Sequence, residues 1–144
     1  MIIPRTKGFD PLLCADPRIL ILGTLPGGES LTHRQYYYSN SNRIWTVLCY
    51  LTGEPIPINY TQKKALLAKY HIVLWDYYES ATRPNSSNDN AIRDGHPNDI
   101  PAFLAEYQTI KTIAVNGFGK YKKFGRKLSK ELAGIAALAD VRVL

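Results

Sequence analysis

At 144 residues, with 45% hydrophobic and 21% charged residues, the chain has the size and composition of one globular domain. Its longest apolar runs, Ile19 to Leu22 and Ile72 to Trp75, are strand-length and far below the roughly 18 residues a membrane span needs, so no membrane partner is expected. A formal net charge of +6 favours a polyanionic partner through counterion release.

Near the N-terminus Arg5 and Lys7 are followed by Asp10, Pro11 and Asp16 instead of the apolar core of a secretory signal, which predicts a cytoplasmic protein. Arg18 to Gly23 reads Arg-Ile-Leu-Ile-Leu-Gly, a continuous apolar run closed by glycine, as in a strand buried on both faces of a parallel sheet. From Gly23 to Asn42 neither helical nor strand period is present, and a long loop is expected, of the kind that is usually functional in a compact domain. Arg43 to Leu51 is an amphipathic helix with Ile44, Val47 and Leu48 on one side, ended by Gly53 and Pro55. A second helix runs from Thr61, its cap, to Tyr70.

His71 to Trp75 is the next buried strand, and Asp76 to Asn98 a second long polar loop with one helical turn near Ala91. Asn98 or Asp99 caps a helix with Pro101 in its first turn, reaching Tyr107. Ile110 to Val115 makes a third strand. Phe118 to Leu132 is a helix with Phe118, Tyr121, Phe124, Leu128 and Leu132 on one stripe, and Val141 to Leu144 starts a fourth strand. Strands alternating with helices imply a three-layer α/β/α sandwich around a central, mainly parallel four-stranded sheet in a single domain. Ligands bind such sheets beyond the carboxyl ends of the strands, where the loops from Gly23 and Asp76 and the turn at Asn116 and Gly117 leave.

The turn Gly23-Thr24-Leu25-Pro26-Gly27-Gly28 lacks both the Gly-x-x-x-x-Gly-Lys-Ser/Thr and the Gly-x-Gly-x-x-Gly spacing, which argues against a nucleotide cofactor. Small residues at Gly27 and Gly28 let a flat ligand or a DNA backbone approach the main chain closely. Asp76 and Asn116, at strand ends, suit hydrogen bonds to the edge of a nucleobase, although Asp76 equally suits a turn cap and Asn116 a left-handed turn. Tyr36, Tyr37 and Tyr38 offer π-faces for an extruded base or serve as ordinary packing residues. Lys120, Lys122, Lys123, Arg126, Lys127 and Lys130 form a basic helix face, read either as solvated or as contacting phosphates. Cys14 and Cys49 lie far apart without nearby ligand partners, so reduced thiols and no metal site are expected. His33, His71 and His96 fall in no ligand spacing.

Three blocks carry a specific resemblance. Ile21-Leu-Gly-Thr-Leu-Pro-Gly-Gly-Glu-Ser-Leu31, with Gln35-Tyr36-Tyr37 and Asn42-Arg-Ile-Trp45, is the first. Leu74-Trp75-Asp76 with Arg83 and Asp89-Asn90-Ala91-Ile92-Arg93 is the second, and Pro97-Asn98-Asp99-Ile100 followed by Asn116-Gly117 the third. In this order they resemble the hypoxanthine-DNA (deoxyinosine) glycosylase branch of the uracil-DNA glycosylase superfamily, whose first motif reads approximately Leu-Gly-Ser-Phe-Pro-Gly, Ser-Leu, Gln-Tyr-Tyr and Asn-x-Phe-Trp.

The resemblance implies a monofunctional DNA glycosylase that needs no cofactor and removes hypoxanthine or uracil from DNA, working as a monomer. It implies Asn42 as the catalytic residue, since the usual superfamily asparagine of the first motif is replaced by Leu25; Asn42 as a mere helix cap is the alternative. Thr24, Leu25, Tyr36, Tyr37, Asp76 and Asn116 would bind the base, with one of Tyr36 and Tyr37 stacking on it, and Gly27, Lys120, Lys122 and Lys123 would meet the DNA backbone. The chain departs from the family where His-Pro becomes Ser39-Asn40 and Gly-Ser-Leu-Asp becomes Ser86-Ser87-Asn88-Asp89. It also ends at Leu144, before the family's Pro-Ser-rich final loop, which suggests a C-terminal truncation. Two other readings stay open: preference for uracil or a mismatched thymine, and a catalytically degenerate DNA-binding module.

Overall fold

The computed structural model describes residues 4–39, 42–84, 91–116 and 124–144. Its elements in chain order are β1 (Thr6–Lys7), β2 (Ile19–Gly23), α1 (Gly28–His33), α2 (Ile44–Thr52), α3 (Tyr60–Lys69), β3 (Ile72–Asp76), β4 (Tyr78–Thr82), β5 (Arg93–Pro97), α4 (Ile100–Glu106), β6 (Thr112–Val115), α5 (Phe124–Leu138) and β7 (Arg142–Val143). Four strands form one sheet in the order β3-β2-β6-β7, every neighbouring pair parallel.

The apolar run of β2 explains the layers. Successive strand residues point to opposite faces. Leu20 and Leu22 enter a cluster with Val73, Ile113, Phe103 and Leu104 of α4, and Leu128 and Leu132 of α5. Ile21 enters the opposite cluster with Ile72, Leu74, Ile44 and Leu48 of α2, and Leu66 and Leu67 of α3. Two cores, one on each face, make the expected α/β/α sandwich.

The structure departs from the sequence reading in five places. The loop after β2 contains the short helix α1, which Gly27 enters in extended backbone (φ −75°, ψ 173°) and Arg34 leaves in the left-handed region (φ 53°). Only Ser30 of that helix is buried, so no apolar period announces it. The stretch after Asp76 carries the antiparallel pair β4–β5, which β1 extends to a second, three-stranded sheet. Strand β5 reads Arg-Asp-Gly-His-Pro and lies largely exposed, hence its loop-like composition. Arg5 fastens this sheet, donating to Ser80 Oγ (2.9 Å) and Asp94 Oδ2 (3.0 Å).

Helix α3 is capped by Asn59, whose Oδ1 accepts from Gln62 N at 2.8 Å, and not by Thr61. Asp99 is the cap of α4. Val47 turns outward at 50% exposure, away from the core side assigned to it with Ile44 and Leu48. Helix α5 continues six residues past Leu132, to Leu138, with Leu128, Leu132 and Ala136 buried. Its expected start at Phe118 and the stripe residue Tyr121 lie outside the described residues, as do residues 85–90, where the turn leading to Ala91 was expected.

Candidate active site

Strand β2 leads to β3 on one side, and the chain then crosses to β6 on the other, so the sheet's topological switch lies at the carboxyl end of β2. There Gly23 pairs with Asp76, while Leu22 pairs with Trp75 and Val115. The Asn116 N–H donates to Leu22 O at 2.8 Å, carrying the β2–β6 ladder one step further. Tyr77 N donates to Gly23 O (2.7 Å) and Tyr78 N to Thr24 O (3.1 Å), so the start of the loop is tied to the start of the hairpin. Asn98 Nδ2 donates to Asp76 O at 2.7 Å. Thr24 and Asp76 are polar yet only 4% and 3% exposed.

Over this strand end lies an open cleft of ≈ 1200 Å³. Gly23, Thr24, Asp76 and Asn116 line it from the sheet, Leu25 to Ser30 from the loop and α1, Tyr36 and Tyr37 from the next turn, and Asn42, Val47 and Leu51 from α2 and its entry. Thr24, Leu25, Gly27, Tyr36, Tyr37, Asn42, Asp76 and Asn116, all singled out in the sequence, therefore share one cleft. Lys120, Lys122 and Lys123 lie outside the described residues, and Arg126, Lys127 and Lys130 are exposed along α5.

The three tyrosines separate by environment. Tyr36 is packed into the core, its ring edge-on to Phe9 at 5.2 Å and its hydroxyl donating to Asp10 O at 2.7 Å. Burial, with the nearby Asp76 charge second, pushes its hydroxyl pKa far up, so it stays a donor. Tyr37 is half-buried with φ 52°, a left-handed conformation uncommon for a bulky residue, and Trp45 Nε1 holds its carbonyl at 2.9 Å. Tyr38 turns away and stacks on His33 at 3.7 Å. A methyl group on Gly23 would meet Asp76 Oδ1 at 2.6 Å and the Tyr37 hydroxyl at 2.7 Å, so the two polar tips converge on the bare backbone at the end of the central strand.

Asn42 stands at the entry to α2. Its Oδ1 accepts from Ile44 N at 3.0 Å and its own N–H donates to Ser39 O at 3.0 Å. The amide thus has its orientation fixed by the helix end while lining the cleft. One carbonyl lone pair serves the helix; the oxygen has a second.

Two basic residues quoted within the resembling blocks were given no role from the sequence, and one helix face was missed. Arg83, at the end of β4, donates to the carbonyls of Leu25 (3.5 Å) and Pro26, clamping the cleft loop to the hairpin. Arg43, Val47 and Leu51, spaced by four along α2, all line the cleft. That spacing is visible in the sequence, but Val47 read as core because apolar residues are assigned inward by default. Among the described residues no three His, Cys, Asp or Glu side chains gather as a metal ion would require, and no helix is long and apolar enough to cross a membrane.

No protein-family profile matches the chain. Among curated proteins, hypoxanthine DNA glycosylase of Methanosarcina barkeri is 31% identical over 130 residues, spanning 88% of this chain and 82% of that protein. Hypoxanthine DNA glycosylase of Methanosarcina acetivorans is 31% identical over 128 residues, spanning 87% and 80%. The solution NMR structure of a candidate uracil DNA glycosylase from Methanosarcina acetivorans superposes with a TM-score of 0.79 at 27% identity, covering 98% of this chain and 83% of that one. Identity of 31% along most of both chains, with the superposition of the fold, carries one conclusion: the chain belongs to the hypoxanthine DNA glycosylase branch of the uracil-DNA glycosylase superfamily.

Proposed function

We propose that this chain is a monofunctional, monomeric DNA glycosylase of one domain that excises hypoxanthine from DNA in the cytoplasm, with uracil as its second substrate. The observation that carries the reading is the convergence of Asp76 and Tyr37 on the bare tip of β2, with Thr24 and Asn42 lining the same cleft. A base flipped from the helix enters the cleft and meets polar groups at its edge and rings at its face, the combination that recognition of an extruded base requires. The buried Asp76 carboxylate accepts from the ring N–H of hypoxanthine or uracil, and Asn116 and Thr24 supply donors for a carbonyl oxygen. Tyr37, half-exposed in the cleft, is the stacking residue; the enclosed Tyr36 lies beside it, ring centroids 6.2 Å apart and tilted by 47°.

Asn42 presents its remaining carbonyl lone pair to a water beneath the anomeric carbon. As the C1′–N bond breaks, its electron pair leaves with the base, which is released after taking a proton. The water oxygen bonds to C1′ and loses a proton to solvent, leaving an abasic deoxyribose. Hydrogen bonds at the base edge stabilise the departing anion, the larger part of such catalysis. Gly27, in extended backbone at the start of α1, leaves room for the DNA main chain, and Lys120, Lys122 and Lys123 add non-specific phosphate attraction.

The uracil reading is kept as secondary because the structural neighbour is named for uracil. The test is base release from inosine-, uracil- and G:T-containing strands, scored by alkaline cleavage of the abasic product. Faster release from inosine than from uracil is expected. Release from no lesion, with DNA still bound, would make the chain a binding module and overturn the enzymatic reading.

A further inference from the structure

Three side chains, each from a different helix, hold the backbone of the turn from Tyr36 to Tyr38. Tyr36 N–H donates to the Tyr60 hydroxyl of α3 at 3.3 Å, Trp45 Nε1 of α2 donates to Tyr37 O at 2.9 Å, and Tyr38 N–H donates to Ser30 Oγ of α1 at 3.1 Å. Ser30 is the one buried residue of α1, and Trp45 is buried in α2. A buried donor or acceptor needs a partner, and both of these find theirs on this turn. The flanking rings are anchored too, Tyr36 edge-on to Phe9 and Tyr38 stacked on His33.

Between these fixed points Tyr37 takes φ 52°. Among the described residues with positive φ that are not glycine, Tyr37 alone lines the cleft. A bulky residue keeps such a backbone only where its surroundings hold it there. The conformation places the Tyr37 hydroxyl 2.7 Å from where a methyl group on Gly23 would stand, at the end of the central strand. A return to negative φ would rotate the side chain away from that point. Trp45 is not among the residues lining the cleft, so it reaches the site through the Tyr37 carbonyl.

We infer that Trp45 is a positioning residue: its indole N–H holds Tyr37 in the left-handed conformation that sets the ring for the flipped base. The inference rests on the reading of Tyr37 as the stacking residue. A ring fixed before the base arrives needs no further ordering when the base binds, so the hydrogen bond from Trp45 contributes to lesion recognition and not only to folding.

The test compares the full chain with two variants at position 45. Trp45→Phe removes the N–H and part of the ring. Replacement of Trp45 by benzothienylalanine keeps the size and shape of the side chain and puts sulfur where the N–H was, so it isolates the hydrogen bond without leaving a cavity. Binding is measured to a duplex carrying a non-cleavable deoxyinosine analogue and to the same duplex without the lesion. The ratio of the two affinities should fall about tenfold in the benzothienylalanine variant, the effect of one hydrogen bond. Affinity for the undamaged duplex should stay at the parent's value. In a Tyr37→Ala background the same replacement should lower the ratio no further, because a residue that acts through Tyr37 has nothing left to position.

A ratio equal to the parent's in the benzothienylalanine variant overturns the inference, and so do losses that multiply in the Tyr37→Ala background. An equal fall in affinity for both duplexes also overturns it, since that marks a role in folding alone. Base release by the parent from inosine-containing strands is measured alongside. Release with no coupling between Trp45 and Tyr37 removes this inference alone, whereas no release from any lesion removes the reading of the cleft and this inference with it.

Discussion

Replacing Asn42 by alanine removes two things whose magnitudes differ enough to be told apart. The first is the bond from Ile44 N to Asn42 Oδ1, 3.0 Å long, at the entry to α2. Loss of such a cap costs about 1 kcal/mol, which lowers Tm by roughly 2–4 °C in a domain of this size. With net stability of about 5–15 kcal/mol, the folded fraction stays essentially complete at assay temperature. Cap loss therefore leaves the excision rate almost unchanged.

The second is the group that positions water, whose removal should slow single-turnover release on inosine-containing DNA by about 10²-fold, equivalent to about 2.7 kcal/mol at 1.36 kcal/mol per decade. Lesion binding should change far less, because the contact matters mainly in the transition state. Asn42→Ser keeps a capping oxygen but not an amide, so it should restore Tm and leave the rate low. The pair of measurements is a thermal melt and a quench-flow or manual single-turnover assay on the same preparations. Asn42→Ala excising at the parent's rate on inosine and uracil strands would refute the catalytic assignment and leave Asn42 a helix cap, with Asp76 the next residue to test.

Gly23→Ala should cut excision sharply, because the added methyl lies 2.6 Å from Asp76 Oδ1 and 2.7 Å from the Tyr37 hydroxyl and displaces both; an unaltered rate would show that neither tip is used. Tyr36→Phe deletes the bond to Asp10 O and should cost about 1 kcal/mol in a denaturant melt with excision kept, whereas Tyr37→Ala should lose excision and Tyr37→Phe, which keeps the ring without its polar tip, should fall between Tyr37→Ala and the parent. Arg83→Lys should raise KM more than it lowers kcat, as the Leu25–Pro26 loop loses its fork, with a Tm shift of a few degrees at most; equal effects on both substrate-free stability and kcat would mark it as purely structural. Glu54, whose carboxyl is held below its ordinary value first by Lys69 and then by Tyr70, contributes stability that is present above the ordinary carboxylate pKa and lost as pH falls through the lowered one. Glu54→Gln should therefore flatten the acid limb of a Tm-against-pH curve.

The central sheet was legible because β2 and β3 are short apolar runs with buried residues on both faces, and Ile19 to Leu22 and Ile72 to Trp75 contain little else. The second sheet was not. Strand β5 pairs through its backbone while its side chains face water, and composition does not record backbone pairing. Helix α1 escaped for a related reason: with Gly27 as its cap and one buried serine, its ends and its face carry no side-chain signal. The cleft residues at strand ends, Thr24, Asp76 and Asn116, were found by position alone. The tyrosines were identified as a group but not separated, since only Phe9 and Asp10, far off in sequence, decide that Tyr36 is enclosed. Arg43 and Arg83 show the same limit, because an arginine's role depends on what stands opposite it.

The cleft's two surfaces bear on what it selects. Its volume, ≈ 1200 Å³, far exceeds that of any single base, so size excludes neither purine nor pyrimidine. The α2 side presents Val47 and Leu51, 50% and 71% exposed, apolar atoms suited to a flat face or a deoxyribose and indifferent to which base passes. In the proposed function discrimination falls to the sheet end, where Asp76 and Tyr37 lie against Gly23, the Tyr77 and Tyr78 N–H groups hold the Gly23 and Thr24 carbonyls, and the Asn98 side-chain amide holds the Asp76 carbonyl. A site that hydrogen-bonds a substrate group rejects analogues lacking it far more strongly than an apolar pocket rejects a change in size. Hypoxanthine and uracil share the ring N–H beside a carbonyl that deamination creates, and adenine and cytosine lack that N–H. On the proposed reading, in which the buried Asp76 carboxylate faces that edge, both deaminated bases are favoured over their parents, which is the selectivity that a repair enzyme tolerant of purine or pyrimidine requires.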